Sequence, residues 1–200
     1  MLRHPLVRAI ALVALLLSIA SMVLVYTPWG RSLWTGSVEG AAASIGGPFR
    51  LTDQNGKPRS DADFRGQYLL VFFGYSNCPD ICPITLQHMT DALDKLGPKA
   101  ERITPIFITV DPKRDTAPTL KAYAANFHPR LVALTGSVAE IDAVAKEYKV
   151  YYGKPGEEPD DQALDHSALV YLMDPDGHYL TNFAPQTSGD DIAKELRERL

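Results

Sequence analysis

Apolar residues follow two regimes along this chain. From Ala9 to Tyr26 runs AIALVALLLSIASMVLVY, eighteen residues without a charge. Further on, apolar residues come in short groups with the period of a strand or a helix. YLLVFFG at 68–74 is a continuous apolar run of aromatic and branched residues and predicts a buried strand. Leu86, Met89, Leu93 and Leu96 recur at helical spacing, and Gly97 is a natural stop, so a helix is expected from Pro83 to Leu96. ITPIFITV at 103–110 reads as a second strand, weakened by Pro105. Leu120, Tyr123, Ala124 and Phe127 mark another helical face, LVAL at 131–134 a short strand, and Val138, Ile141, Val144 and Tyr148 a third helix. SALVYLMDPDGHYLTNF at 167–183 predicts two strands about a D-P-D-G turn, and Ile192, Leu196 and Leu200 a terminal helix. Strands alternating with helices imply an α/β fold with a central sheet covered by helices. Sites in such sheets form at the carboxyl ends of strands.

The long apolar run has the properties of a membrane anchor. As a helix it would extend roughly 27 Å, close to the hydrocarbon thickness of a bilayer. Arg3 and Arg8 precede it, which keeps the N-terminus in the cytoplasm, and Tyr26, Trp29 and Trp34 suit the far interface. A cleaved signal peptide is the competing reading, but its apolar core is usually only about 7–15 residues, and no small-x-small site lies close behind this run. A nearly Ser-free leader with two arginines does not look like a mitochondrial transit peptide. The expected setting is therefore a bacterial inner membrane, with a single pass and the soluble part in the periplasm. TGSVEGAAASIGG at 35–47 reads as a flexible linker. The expected organisation is an anchor with its flanks at 1–34, a linker at 35–47, and one domain at 48–200, large enough for a real core. All 24 acidic residues but only 17 of the 20 lysines and arginines lie beyond residue 35, a formal charge of −7. That balance, without basic runs, excludes a nucleic-acid partner and leaves room for a cationic ligand or a basic protein.

Candidate chemistry centres on GYSNCPDICPITL at 74–86, which holds the only two cysteines, Cys78 and Cys82. A disulfide staple here would close a five-residue loop and contribute only about 2 kcal/mol. Reactivity is the better reading. Pro83 suits the first helical position, which would put Cys82 at the N-cap, where the helix dipole favours thiolate. Two thiolates at a strand end serve disulfide exchange or capture of a soft metal such as Cu(I) or zinc. A metal needs a further ligand. His4 precedes the apolar run, His88 is expected to face solvent, His128 closes a helix before a proline, and His178 follows a turn. His166 differs, standing in LDHSALVYLMD just before a buried strand. In a thioredoxin-like arrangement that strand begins beside the cysteine loop. The pattern alone leaves His166 open between ligand and structural residue.

FFGYSNCPDICP, TVDPKRDT and DHSALVYLMDPDG, in this order behind one anchor, resemble the SCO/SenC family. The resemblance covers about residues 45–200. It implies a thioredoxin-like fold, one bound copper, and a role in metallating the copper centre of cytochrome c oxidase. Carried over to this chain, it implies copper ligation by Cys78, Cys82 and His166. Ile84 stands where the family often has threonine, which should not affect ligation. The spacing of the cysteines departs from thioredoxin, which has two intervening residues rather than three. Thioredoxin also has a proline where Asp165-His166 stands, and histidine can ligate where proline cannot. Asp111 and Asp115 read as a local turn with an Arg114 ion pair. Asp80 could tune the site, Asp165 could orient His166, and KPGEEPDDQALD at 154–165 reads as a solvated loop.

Two functions remain on this reading. One is a membrane-tethered metallochaperone, not a turnover enzyme, that delivers copper to the oxidase subunit carrying the copper centre, with other copper chaperones or a thiol reductant as further partners. The other is a thiol–disulfide oxidoreductase that keeps the copper-site cysteines of the oxidase reduced, with Cys78 and Cys82 as its redox pair. His166 discriminates, since copper ligation needs it and thiol exchange does not.

Overall fold

The computed structural model describes residues 5–26, 45–153 and 168–200. These fall in two compact units, Met1–Ala43 and Ser44–Leu200. The first contains α1 (Pro5–Tyr26), with no acidic residue in its first turn and no basic residue in its last. Its 22 residues extend about 33 Å. Ile10, Leu12, Val13, Leu15, Leu16, Leu17, Ile19, Met22 and Val23 all present exposed apolar side chains. Among the described residues no helix is long and apolar enough to cross a membrane.

The second unit is a seven-stranded mixed sheet in the order β2-β1-β5-β4-β3-β6-β7. Its strands are β1 (Arg50–Asp53), β2 (Pro58–Ser60), β3 (Tyr68–Gly74), β4 (Ile103–Thr109), β5 (Val132–Thr135), β6 (Val170–Met173) and β7 (Tyr179–Phe183). The helices are α2 (Ile81–Leu96), α3 (Ala117–Ala124), α4 (Val138–Glu147) and α5 (Gly189–Arg197). β3, β4 and β5 run parallel, and β6 and β7 add antiparallel at the other edge of β3. All but the first residue of β3 are buried, as its unbroken apolar run requires of a central strand. Pro105 is tolerated in β4 because pairing with β5 starts one residue later, at Ile106↔Val132. The expected α/β architecture is present, with boundaries shifted by a few residues.

The β1–β2 hairpin is an element the hydrophobic pattern does not reveal. Its strands have four and three residues, too few to display an alternation. A buried carboxylate holds it instead. Asp53 is 2 % exposed and accepts from Asn55 N at 2.9 Å, Lys57 N at 3.0 Å and Arg59 Nε at 3.1 Å. Burial pushes its pKa up, but these donors outweigh burial and hold it below the usual value. The last residues of the expected linker lie against the domain. Gly46 N donates to Glu147 O at 2.9 Å, and a Cβ on Gly46 would come within 2.4 Å of Met173 Cε. At the far end of the chain α2 packs on α5. The approach at Gly189 is so close that a Cβ there would lie 2.9 Å from His88 O.

One connection positions the loop that follows β3. Asp115 is 1 % exposed and lies beyond the end of β4. Its Oδ2 accepts from Thr109 Oγ1 at 2.6 Å and from Ser76 N at 2.9 Å, while the Ser76 hydroxyl donates to Oδ1. Val110 N donates to Gly74 O at 2.8 Å beside it. Asp111, by contrast, behaves as the sequence suggests, since Arg114 Nε donates to its carboxylate and Asp115 N to its carbonyl at 2.9 Å. The pair Asp111 and Asp115 thus divides into a local turn and a long-range tie to the cysteine loop. Asp115→Asn removes one acceptor and sets an amide N–H₂ against buried donors. It is expected to lower unfolding free energy by about 1–3 kcal/mol, read from urea denaturation of the reduced protein.

Candidate metal and thiol centre

Both cysteines lie where β3 ends and α2 begins. The structure starts α2 at Ile81 with Asp80 as N-cap, two residues earlier than expected. Cys82 is therefore inside the first turn and Pro83 is the third helical residue. The proline is still accommodated, because the first four N–H groups of a helix have no partner within it. The first closing bond runs from Ile84 N to Asp80 O at 3.4 Å. Asp80 makes no side-chain cap and is exposed.

Packing rather than the helix dipole sets the environment of Cys82. The residue is fully buried, and its sulfur lies over the backbone of Gly74, where an added Cβ would be 2.8 Å from Sγ. The same Cβ would be 3.0 Å from Phe107 Cε2, so glycine is the residue that lets the sulfur and the ring meet the strand end. Burial pushes the Cys82 thiol far above its ordinary pKa. A backbone hydrogen bond from Tyr75 opposes this, while the Cys78 thiol and the Asp115 charge reinforce it. This corrects the expectation that the helix end makes Cys82 a thiolate, because desolvation of the charged form outweighs the dipole. Cys78 sits in the loop, 9 % exposed, with its N–H donated to Tyr75 O at 3.2 Å. Neither cysteine is in a disulfide, and the Cys78 thiol acts directly on that of Cys82.

His166 and its neighbour Asp165, with the acidic loop at 154–165, lie outside the described residues. The other histidines in the domain can be placed. His88 is not solvent-facing as expected: it is half-buried, with Nδ1 buried and unpaired among the described residues. It lies on α2 where α5 closes in, which the spacing of apolar residues along α2 could not reveal. His128 caps a turn, its Nδ1 accepting from Arg130 N at 3.2 Å, and burial lowers its pKa. His178 is exposed beside Asp174. Among the described residues, the groups of three that could hold an ion come down to Asp174, Asp176 and His178. There the Asp174 carboxylate is occupied in closing the hairpin turn, accepting from His178 N at 2.7 Å and Asp176 N at 2.9 Å.

Two further residues belong to the centre. Asp115 ties down the loop that carries Cys78, and Tyr123 of α3 packs its ring on Phe107 at a centroid distance of 5.6 Å. Neither is visible as a site residue in the sequence, because each comes near the cysteine loop through the fold rather than along the chain. Chemically, two adjacent thiols in a mostly apolar recess can bind a soft metal as their protons leave to water, or reduce a partner's disulfide while forming their own. The donor set suits Cu(I), which two sulfurs hold well.

Comparison with known proteins places this arrangement. The pattern of the SCO1/SenC family matches residues 37–200. The mitochondrial SCO1 homolog of Mus musculus is 43 % identical over 155 residues, covering 76 % of this chain and 55 % of that protein. This chain thus spans little more than half the length of that relative. The copper-bound ScoI structure of Bradyrhizobium japonicum is 43 % identical with a TM-score of 0.72, covering 78 % of this chain and all of that one. The structure of BsSco, described as having a disulfide switch and as one of the Sco family of cytochrome c oxidase assembly proteins, is 31 % identical with a TM-score of 0.64, covering 77 % of this chain and 92 % of that one. The central mixed sheet with its helices is the thioredoxin-like fold of these Sco structures. This chain belongs to the SCO1/SenC family.

Proposed function

We propose that this protein binds one copper ion through Cys78, Cys82 and His166 and delivers it to the subunit of cytochrome c oxidase that carries the copper centre. The observation that carries the reading is the pair of buried cysteines, not joined in a disulfide, at the carboxyl end of β3. The copper-bound ScoI of Bradyrhizobium japonicum supports the choice of metal. Copper is the cargo, and the chain's own residues hold and release it. Cys82, inside the wall of the core, is the fixed donor. Cys78, on the loop, is the donor that an incoming partner can reach. His166 supplies the nitrogen that Cu(II) favours, and Asp165 orients it.

Thiol–disulfide exchange is the second reading, and the adjacency of the two thiols favours it. The likeness to BsSco, with its disulfide switch, supports it too. Both readings use the same pair, so oxidation to a Cys78–Cys82 disulfide switches copper binding off. Residues 1–34 anchor the chain in a bacterial inner membrane, 35–47 tether it, and 48–200 work in the periplasm. The uncharged run Ala9–Tyr26 and the exposed apolar side chains of α1 support this arrangement.

Reduced protein should retain one copper per chain after desalting, with an intense thiolate-to-Cu(II) absorption. Copper binding should weaken in acid, where protons compete for the sulfurs, and should be absent from the oxidised protein. His166→Ala should weaken Cu(II) strongly and Cu(I) less, and leave thiol exchange intact. Cys78→Ser and Cys82→Ser should abolish both. Paired measurement of Cu(II) retention and thiol exchange on the four proteins decides: unchanged Cu(II) binding in His166→Ala would remove the histidine and favour exchange. For the anchor, protease added to spheroplasts should digest the domain, and mass analysis of the membrane-bound chain should include residues 1–35. A soluble protein beginning near residue 37 would show cleavage instead.

A further inference from the structure

A recess of about 340 Å³ lies at the end of the sheet away from the cysteines. It opens beside Leu69 at the start of β3, whereas the cysteine loop follows Gly74 at its end, roughly 17 Å further along the strand. Its size falls in the range of small-molecule sites, roughly 300–1,000 Å³. Phe49, Phe64 and Leu69 give it apolar walls, with the two rings 6.1 Å apart. Asp61, Arg65, Tyr148 and Asp174 supply its polar groups. Both carboxylates are engaged. Asp61 accepts from Phe49 N at 3.4 Å and from Arg65 Nη2 at 3.1 Å, and Asp174 closes the hairpin turn. The donors are not. Tyr148 is 3 % exposed, with its ring on Phe73 at 5.3 Å and on Tyr171 at 5.6 Å, and its hydroxyl makes no hydrogen bond among the described residues. Arg65 commits one N–H to Asp61, and its other N–H groups have no partner among the described residues. Gly177 brings the two donors together. A Cβ on Gly46 would lie 3.7 Å from Tyr148 Cζ and 3.9 Å from Gly177 O, and a Cβ on Gly177 would lie 2.7 Å from Arg65 Nη1. The phenol oxygen, carried on Cζ, and the guanidinium therefore flank Gly177 in one wall of the recess. Burial, reinforced by the Asp61 charge and opposed by Arg65, raises the Tyr148 pKa and keeps the phenol a donor.

We propose that this recess binds a small monocarboxylate with an apolar body about the size of one aromatic ring, its carboxylate accepting hydrogen bonds from Tyr148 Oη and Arg65 and its body lying against Phe49, Phe64 and Leu69. A hydroxyl on a side chain this deeply buried is nearly always paired, and an exception needs a reason. The guanidinium fork beside it matches a carboxylate in shape and charge. A cationic ligand would find both carboxylates of the recess already accepting. The site is separate from the dithiol and depends on neither the copper reading nor the thiol-exchange reading.

Phenylacetate, phenylacetamide and benzylamine are the probes, compared by equilibrium dialysis against the full chain in detergent. Tyr148→Phe and Arg65→Gln are measured beside the wild type in the same detergent, which subtracts uptake by micelles. Tyr148→Phe keeps the ring on Phe73 and Tyr171 and removes one oxygen, and Arg65→Gln changes an exposed side chain, so both variants keep the fold. The expected result is saturable binding of phenylacetate to the wild type, weaker by about 10-fold in each variant. Phenylacetamide, with the same shape and no charge, should bind the wild type less tightly than phenylacetate, and benzylamine should bind it no better than the variants. If phenylacetate binds all three proteins alike, or none of them, the recess holds only water and the proposal is overturned. Benzylamine binding the wild type in place of phenylacetate would overturn it too, since the carboxylates rather than the donors would then face the ligand.

Discussion

Cys82 lies so close to the backbone of Gly74 that no Cβ would fit between them. The reactive centre is consequently not a feature laid on the surface of the fold. It is the last layer of the core, where β3 hands over to α2. This contact fixes the sulfur against a strand that is buried along nearly its whole length and held by parallel pairing to β4 on one side and antiparallel pairing to β6 on the other. It also sets the chemistry. A sulfur with no access to water resists ionisation, so a proton rather than a charge occupies the site until a metal or a disulfide partner replaces it.

The loop carrying Cys78 is restrained by a different means. A carboxylate from beyond β4 binds the Ser76 amide and hydroxyl as well as Thr109, which joins the ends of two parallel strands at the level of the cysteines. One cysteine is thus held by packing and the other by hydrogen bonds. Packing is rigid and hydrogen-bonded loops yield more easily, which suits a pair in which one donor stays with the protein and the other meets the partner.

Much of this was legible along the chain. The unbroken run at 68–74 reads as a buried strand, and the apolar residues of α2, α3, α4 and α5 repeat with helical period, so the α/β class followed from pattern alone. The short hairpin of β1 and β2 was not legible, because three or four residues cannot show a period and the hairpin is held by Asp53 rather than by apolar alternation. The start of α2 was misplaced by two residues for a related reason. Proline is compatible with any of the first helical positions, and its presence at 83 does not say which of them it occupies.

The sequence by itself determined which atoms are present for chemistry: two cysteines four residues apart after a buried strand, and a histidine before a later one. Residue type and spacing are properties of the chain, and so is the family pattern they form. Only the tertiary structure decided how those atoms behave. The helix end predicts a thiolate at Cys82, and the core makes it a thiol, because desolvation depends on what surrounds the sulfur and not on its neighbours in sequence. Asp115 and Tyr123 entered the site in the same way. They stand 33 and 41 residues beyond Cys82 in the chain, and only the parallel pairing of β3 with β4 brings the ends of those strands, and the segments that follow them, to one place.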